Sequence, residues 1–245
     1  MRSFKGKTYW LVGASAGLGE ALAHKLVDAG AKVIVSARGE DDLKRVVSEL
    51  GDAARYVTID VSDEADVARA AEEVGQIDGY VHLAGVYWPM PAQEWDAKQV
   101  NAMLDINMTG MARVLGHIVP PMVARDDGHI VITSSLTGFR GLPGSIGYTA
   151  SKAAAMSLAE SMECDLRKTG VDVQVANPGF IKTQLTDKNN FNMPFLMQPD
   201  EAAQIMFHHM KFGGFKRSFP TLFSLVFRGS QFLPDWAYFR IFGKA

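Results

Sequence analysis

Hydrophobic positions along this chain fall into two alternating kinds of segment. Short continuous apolar runs rich in β-branched residues occur at 8–12 (TYWLV), 31–37 (AKVIVSA), 55–60 (RYVTID), 79–84 (GYVHLA), 129–135 (HIVITSS) and 171–177 (VDVQVAN). Continuous runs of this kind suit parallel strands that are buried on both faces. Between them, apolar residues recur with helical spacing at 18–29, 41–50, 63–74, about 98–124 and about 149–168. Gly30, Gly51, Gly75 and Gly170 sit near the helix ends, where C-terminal glycines belong, and Asp63 or Ser62 is placed to cap the helix after it. Strand–helix repetition of this kind predicts an α/β fold, a doubly wound parallel sheet in three layers with right-handed crossovers. No linker and no internal repeat interrupts 1–245, so a single domain is expected.

Composition narrows the function classes. The 245 residues suit one α/β domain, and 47% hydrophobic with 21% charged residues supports a full core. Net charge is −2, with no block of one sign, which argues against nucleic acid as a partner. The single Cys164 excludes an intrachain disulfide and fits a reducing compartment; it reads as a small helix residue rather than a nucleophile. His208 and His209 are adjacent, so on a helix they diverge by about 100°, and the six histidines show no metal-ligand spacing. No metal is expected. The opening MRSFKGKTYWLVG lacks a signal-peptide layout, and no apolar run reaches the ~18 residues of a membrane span. A cytoplasmic protein is expected, with one reservation about the tail.

The loop after the first strand carries the first chemistry. LVGASAGLGEALAHKL places Gly13, Gly17 and Gly19 where the chain passes from strand to helix. A tight turn, close backbone approach and a helix N-terminus with unpaired N–H groups are what a dinucleotide pyrophosphate requires. Ser15 adds a hydroxyl donor, and Leu18 lies inside the loop. Where many such sites hold the ribose 2′-hydroxyl with an acid after the second strand, this chain has Ala37 followed by Arg38. A cation there suits a 2′-phosphate, so NADPH is expected over NADH. Asp60, followed by Val61, closes the third strand and is placed to meet the adenine ring.

Tyr148 and Lys152, in YTASK, lie four residues apart and therefore on one face of a helix. With the glycine loop, this pair resembles the short-chain dehydrogenase/reductase family of the single-domain type, which implies a Rossmann-like sheet. The resemblance covers roughly 5–190 and holds in order and spacing. GASAGLG is similar to the family's cofactor loop, and HLAG (82–85) to its motif after the fourth strand, which contributes Ala84 and Gly85. INMTG (106–110) carries the helix asparagine at Asn107. ITSSLTG (132–138) carries the serine, and NPGFIKT (177–183) contributes Pro178, Gly179, Ile181 and Thr183 to the cofactor site. His82 and Leu83 depart from the family pattern, which has asparagine at both places. Family spacing selects Ser135 rather than Ser134.

The resemblance implies the roles. Tyr148 donates or accepts the proton on the substrate oxygen. A free tyrosine ionises near pH 10, and Lys152 one turn away is expected to bring it down. Lys152 also holds the nicotinamide ribose, Ser135 binds the substrate carbonyl, Asn107 holds a water that links Lys152 to solvent, and Thr183 binds the carboxamide. The implied reaction moves a hydride between NADP(H) and a carbonyl or secondary alcohol.

Loops after the strands supply an expected apolar wall: Tyr87, Trp88, Phe139, Leu142, Phe191, Met193, Phe195 and Met197, which suits a small hydrophobic substrate. Residues 184–212 are expected to form a substrate lid. Residues 213–245 form an aromatic-rich extension. From Lys211 onward, Lys211, Lys216, Arg217, Arg228, Arg240 and Lys244 are opposed only by Asp235. Three readings of this tail stand: a pocket cover packed on a second subunit of a homodimer or homotetramer, a peripheral membrane contact, or an ordinary core-packed terminus. A non-catalytic dinucleotide-binding sensor or scaffold is the rival function. A sugar-nucleotide epimerase needs a substrate lobe for which the chain looks too short.

Overall fold

A computed structural model describes residues 1–188 and 193–243 of the chain. Its centre is a seven-stranded parallel sheet: β1 (Thr8–Val12), β2 (Lys32–Ser36), β3 (Ala54–Tyr56), β4 (Gly79–His82), β5 (Gly128–Thr133), β6 (Val171–Pro178) and β7 (Lys216–Phe219), in the order β3-β2-β1-β4-β5-β6-β7. Helices α1 (Gly17–Asp28), α2 (Glu40–Leu50), α3 (Glu64–Val74), α4 (Ala97–Leu104), α5 (Gly110–Ala124), α6 (Ile146–Leu166), α7 (Pro199–Phe212), α8 (Thr221–Ser230) and α9 (Asp235–Phe242) complete the chain. The alternation read from the sequence is therefore a Rossmann-like single domain.

Period-two alternation divides the core. Tyr9, Leu11, Val33, Val35, Val81 and Val131 pack on one face with Leu22 and Leu26 of α1, Leu43 and Val46 of α2, and Ala202 and Met206 of α7. Trp10, Val12, Ile34, Tyr80, Ile130 and Ile132 pack on the other with Val67 of α3, Met111 and Val114 of α5, and Ala155 and Ala159 of α6. Chain order reverses between β1 and β4, which opens a crevice at their carboxyl ends.

Local signals explain most boundaries. Asp63 caps α3 by accepting from Ala65 N and Asp66 N, and Gly51 and Gly75 end α2 and α3 with φ of 68° and 70°. Gly170 plays another part. A Cβ there would meet the Asp126 carbonyl oxygen at 1.8 Å, so it permits a close approach of two backbones rather than a helix cap. The single helix expected at 98–124 is α4 and α5 joined by a π-helical turn, Asp105–Thr109. Such one-turn widenings re-aim a side chain, and this one contains the buried Asn107.

Residues 199–212, expected within a lid, are α7. Ala202, Ala203, Met206 and Met210 of this helix are buried in the core, so it cannot serve as a cover. Residues 189–192 of the expected lid, Phe191 among them, lie outside the described residues, as does Lys244. Among the described residues, no helix is long and apolar enough to cross a membrane.

Candidate active site

The glycine loop is tied to the strand beside it. Gly13 has φ 94°, and a Cβ on it would stand 2.3 Å from Ala84 N; a Cβ on Gly19 would stand 2.2 Å from the Gly13 carbonyl oxygen. Only glycine lets the loop lie this close against residues 83–84 and against its own helix. Among the described residues no side chain caps the first turn of α1, and that turn lines the crevice at Ala16, Gly17, Leu18 and Gly19.

Two adjoining clefts of about 530 Å³ each run from this point. They share Gly13, Ser15, Ala84, Gly85, Gln184 and Leu185, and so form one trough. Arg38, Asp60 and Val61 line one end. Gly17, Leu18, Gly19, Tyr148, Lys152, Pro178, Gly179, Ile181 and Thr183 line the other. Every cofactor residue expected from the sequence borders this trough. An uncapped helix start, a glycine cradle and an elongated cavity fit a dinucleotide. At the end lined by Arg38 and Asp60, the exposed Arg38 helps hold the Asp60 carboxyl below its usual range, behind the larger effect of the Ser62 hydroxyl. Glu40, the nearest acid to Arg38 along the chain, is engaged by Lys44 at 3.0 Å and by the Tyr56 hydroxyl at 2.9 Å.

The four catalytic candidates converge at the other end. Helix α6 places Tyr148 and Lys152 on one face, with Nζ 5.6 Å from the Tyr148 ring centroid. Lys152 is buried and donates to the Thr133 carbonyl oxygen at 3.0 Å. Ser134 and Ser135 diverge, as neighbours on an extended strand end must. Ser134 Oγ donates to the Lys152 carbonyl oxygen at 2.6 Å, which pins α6 to the sheet. Ser135 faces the pocket beside Tyr148; its Oγ donates to the Pro178 carbonyl oxygen at 3.4 Å and accepts from Thr137 N at 3.2 Å.

Asn107 holds the neighbouring loop. Its Oδ1 accepts from Val86 N at 2.7 Å, and its Nδ2 donates to the Val86 carbonyl oxygen at 3.0 Å and to Ser151 Oγ at 3.1 Å. Both amide protons are engaged, so the side chain is a clamp between the β4 loop and α6 and does not offer them to a water. A Cβ on Gly85 would lie 3.3 Å from Asn107 Oδ1 and 3.7 Å from Lys152 Nζ, so this glycine keeps the space between them open.

Burial dominates the electrostatics. Desolvation pushes Tyr148 up to about 12, against a smaller downward pull from the nearby Ser135 hydroxyl, and pushes Lys152 down to about 8. The expectation that Lys152 lowers Tyr148 is corrected here: with the ammonium bonded to Thr133, burial is the larger effect on the phenol.

A smaller cavity of about 90 Å³ adjoins the catalytic groups. Its polar side holds Ser135, Tyr148, Ser145, Thr137 and Thr186; its apolar side holds Tyr87, Leu136, Phe180, Leu185, Phe223 and Phe227. Of the wall expected from the sequence, Tyr87 alone among the described residues lines this cavity. Its ring meets that of Tyr148 edge-on at 5.0 Å. Trp88 borders the dinucleotide trough instead, Leu142 a separate groove, and Met197 is core. Phe139 lies beneath the Lys216 ammonium, and Phe195 is exposed and stacks on Phe223 at 5.4 Å. Met193 lies outside the cavity lining, half-buried. The missing wall comes from α8, because β7 extends the sheet and returns the tail over the site. The helical spacing of Phe223 and Phe227 was the available signal. Thr137, whose buried hydroxyl has no hydrogen-bond partner among the described residues, was missed as well.

Glu20, His24 and Glu49 bring possible ligand atoms within 4.8 Å of one another. The Arg45 guanidinium bonds both carboxylates at 2.7 and 2.9 Å, which makes this an ion-pair network.

The sequence profile described as short chain dehydrogenase matches residues 7–193. An uncharacterized oxidoreductase of Myxococcus xanthus is 38% identical over 242 residues, spanning 96% of this chain and 96% of that protein. A 3-oxoacyl-(acyl-carrier-protein) reductase of Rickettsia typhi is 30% identical over 190 residues, spanning 78% of this chain and 79% of its own. Among solved structures, an actinorhodin polyketide ketoreductase variant with NADPH superposes with a TM-score of 0.78 at 25% identity, over 89% of this chain and 97% of that one.

Proposed function

The chain belongs to the short chain dehydrogenase family, and from that premise we propose that it transfers a hydride between NADP(H) and a carbonyl or secondary alcohol on a hydrophobic substrate. The carrying observation is the meeting of Ser135, Tyr148 and Lys152 where the dinucleotide trough joins the apolar cavity. A bound nicotinamide supplies or accepts the hydride. The protein does the rest. Ser135 holds the substrate oxygen, and Tyr148 gives it a proton in the reducing direction and takes one in the other. Lys152 keeps a cation below the phenol. Asn107 fixes the loop that forms the trough wall, and Thr183 stands against the glycine loop to orient the carboxamide. Arg38, with Glu40 engaged elsewhere, favours the 2′-phosphate of NADPH.

The ketoreductases among the similar proteins support reduction of a ketone, and the phenylalanine-lined cavity supports a lipophilic one. The test is NADPH oxidation against a panel of lipophilic aldehydes, ketones and quinones, with NADH in parallel. Turnover that Tyr148→Phe abolishes, with NADPH binding retained, is the expected result. Unchanged turnover in Tyr148→Phe would remove the assigned acid–base group. NADPH binding with no turnover on any class would favour a sensor.

A further inference from the structure

Among the described residues, the most exposed apolar surface belongs to the last two helices. On α8, Leu222, Leu225 and Val226 recur at helical spacing and are 51 to 67% exposed, while Phe223, Phe227 and Ser230 turn inward. On α9, Trp236, Phe239 and Ile241 are 62 to 73% exposed, while Tyr238 is buried. Phe232, on the connection, is 88% exposed.

One residue anchors both inner sides. Arg140 Nη1 donates to the carbonyl oxygens of Ser230 and Leu233, each at 2.7 Å, and Nη2 bonds the Asp235 carboxylate. The same guanidinium lies 3.9 Å over the Tyr238 ring, and the Tyr238 hydroxyl donates to the Gly141 carbonyl oxygen. Arg140 therefore holds the inner sides of both helices, and the exposed apolar side chains of α8, α9 and their connection lie outside that anchor. Left in water, an apolar face of this kind is a liability for a monomer and marks an interaction surface.

Charge decides the occupant. Arg228 of α8 and Arg240 of α9 are exposed among these apolar side chains. The only carboxylate of these helices, Asp235, is engaged by Arg140. Two copies meeting through this face would gather four such arginines with no free carboxylate in either pair of helices. A lipid surface with anionic headgroups satisfies both features, taking aromatic and aliphatic side chains into its acyl boundary and pairing the cations with phosphate. We propose that the α8–α9 face docks on an anionic lipid bilayer. The inner side of α8 lines the cavity next to Tyr148, so docking brings that cavity alongside the lipid. The docking itself does not depend on the catalytic reading.

The test uses the full chain in vesicle flotation, with phosphatidylcholine alone and with phosphatidylglycerol added, and NADPH binding on the same samples to report folding. Binding to the phosphatidylglycerol vesicles that weakens with salt is expected. Arg228→Gln with Arg240→Gln should weaken it roughly thirty-fold, and Leu225→Ser with Trp236→Ser should abolish it, both with NADPH binding intact. Absence of flotation with any vesicle would overturn the proposal. So would flotation unaffected by either pair of substitutions. A concentration-dependent dimer that Leu225→Ser with Trp236→Ser dissociates, without lipid binding, would assign the face to a second copy of the chain.

Discussion

The Lys152 ammonium stands 5.6 Å from the centre of the Tyr148 ring and donates to the Thr133 carbonyl at 3.0 Å. Its surroundings lower its pKa to about 8 and raise that of the tyrosine to about 12. Across neutral pH the phenol is therefore protonated, as reduction requires, and the ammonium is what titrates. The rate of reduction, as kcat/KM, should be level below about pH 8 and fall above it as Lys152 loses its charge. A profile level to pH 10 would contradict the assignment.

The same group makes a stability prediction of opposite sense. The unfolded lysine holds its proton up to about pH 10.5, above the folded value of about 8. The burden of burying the charge is complete below pH 8 and disappears as pH rises toward 10.5. Lys152→Met should be inactive yet more stable at pH 7, by roughly 1–3 kcal/mol less whatever the Thr133 hydrogen bond contributes. Urea unfolding of the two proteins at pH 7 measures this.

Arg38 tests cofactor choice. Its side chain lines the end of the trough that holds Asp60 and is exposed, so its removal should leave the fold intact. Arg38→Ala should raise the KM for NADPH roughly ten- to a hundred-fold, the range for losing a charge-assisted contact to a phosphate. The KM for NADH should change little. Equal loss for both cofactors would mean that the residue does not read the 2′-phosphate.

What the sequence made legible follows from periodicity. The anticipated strands carry apolar runs, five of them largely buried and β3 half-exposed at the far edge, and the glycine loop and YTASK lie at fixed points along that alternation, so the trough and its catalytic end could be anticipated. Strand β7 could not. Lys216 and Arg217 face solvent on the sheet edge, so KRSF carries no apolar run. Without β7, covering the pocket stayed one of three readings of the tail, with no residue of α8 assigned to the wall, and the wall was sought in loops nearer the catalytic residues. The π turn around Asn107 was hidden for another reason: all its residues lie on a continuous helical path, and one extra residue per turn leaves no composition signal. Electrostatics misled in the Tyr148–Lys152 pair because sequence spacing reports proximity but not burial.

Phe227 tests the wall that the tail provides. It lines the catalytic cavity on α8 and packs edge-on against Phe223 at 5.0 Å. Phe227→Ala should raise KM for a lipophilic ketone about ten-fold or more, in line with the loss of a buried aromatic contact. Its kcat on a small, water-soluble ketone should be retained. A loss of kcat alone, with KM unchanged, would place the residue outside the substrate site.

Of the three buried histidines, His129 and His82 are held furthest below the usual imidazole range and weigh most on the acid limit of the fold. His129 bridges the Tyr9 hydroxyl at 2.8 Å and Gln174 Oε1 at 2.9 Å, and His82 meets the Tyr80 hydroxyl at 2.6 Å. Burial pushes each down to about 3, so both stay neutral in the folded protein where the unfolded chain, near 6.5, takes up protons. The unfolded state then binds more protons than the native one, and stability falls as pH drops below 6.5. The two together should cost on the order of 3–4 kcal/mol between pH 6.5 and 5. His82→Asn keeps a polar group against Tyr80 and removes one titrating site, so it should remove about half of that loss. Urea unfolding at several pH values measures both slopes. The same acid slope in His82→Asn as in the unmodified protein would show that His82 is not neutral in the folded core.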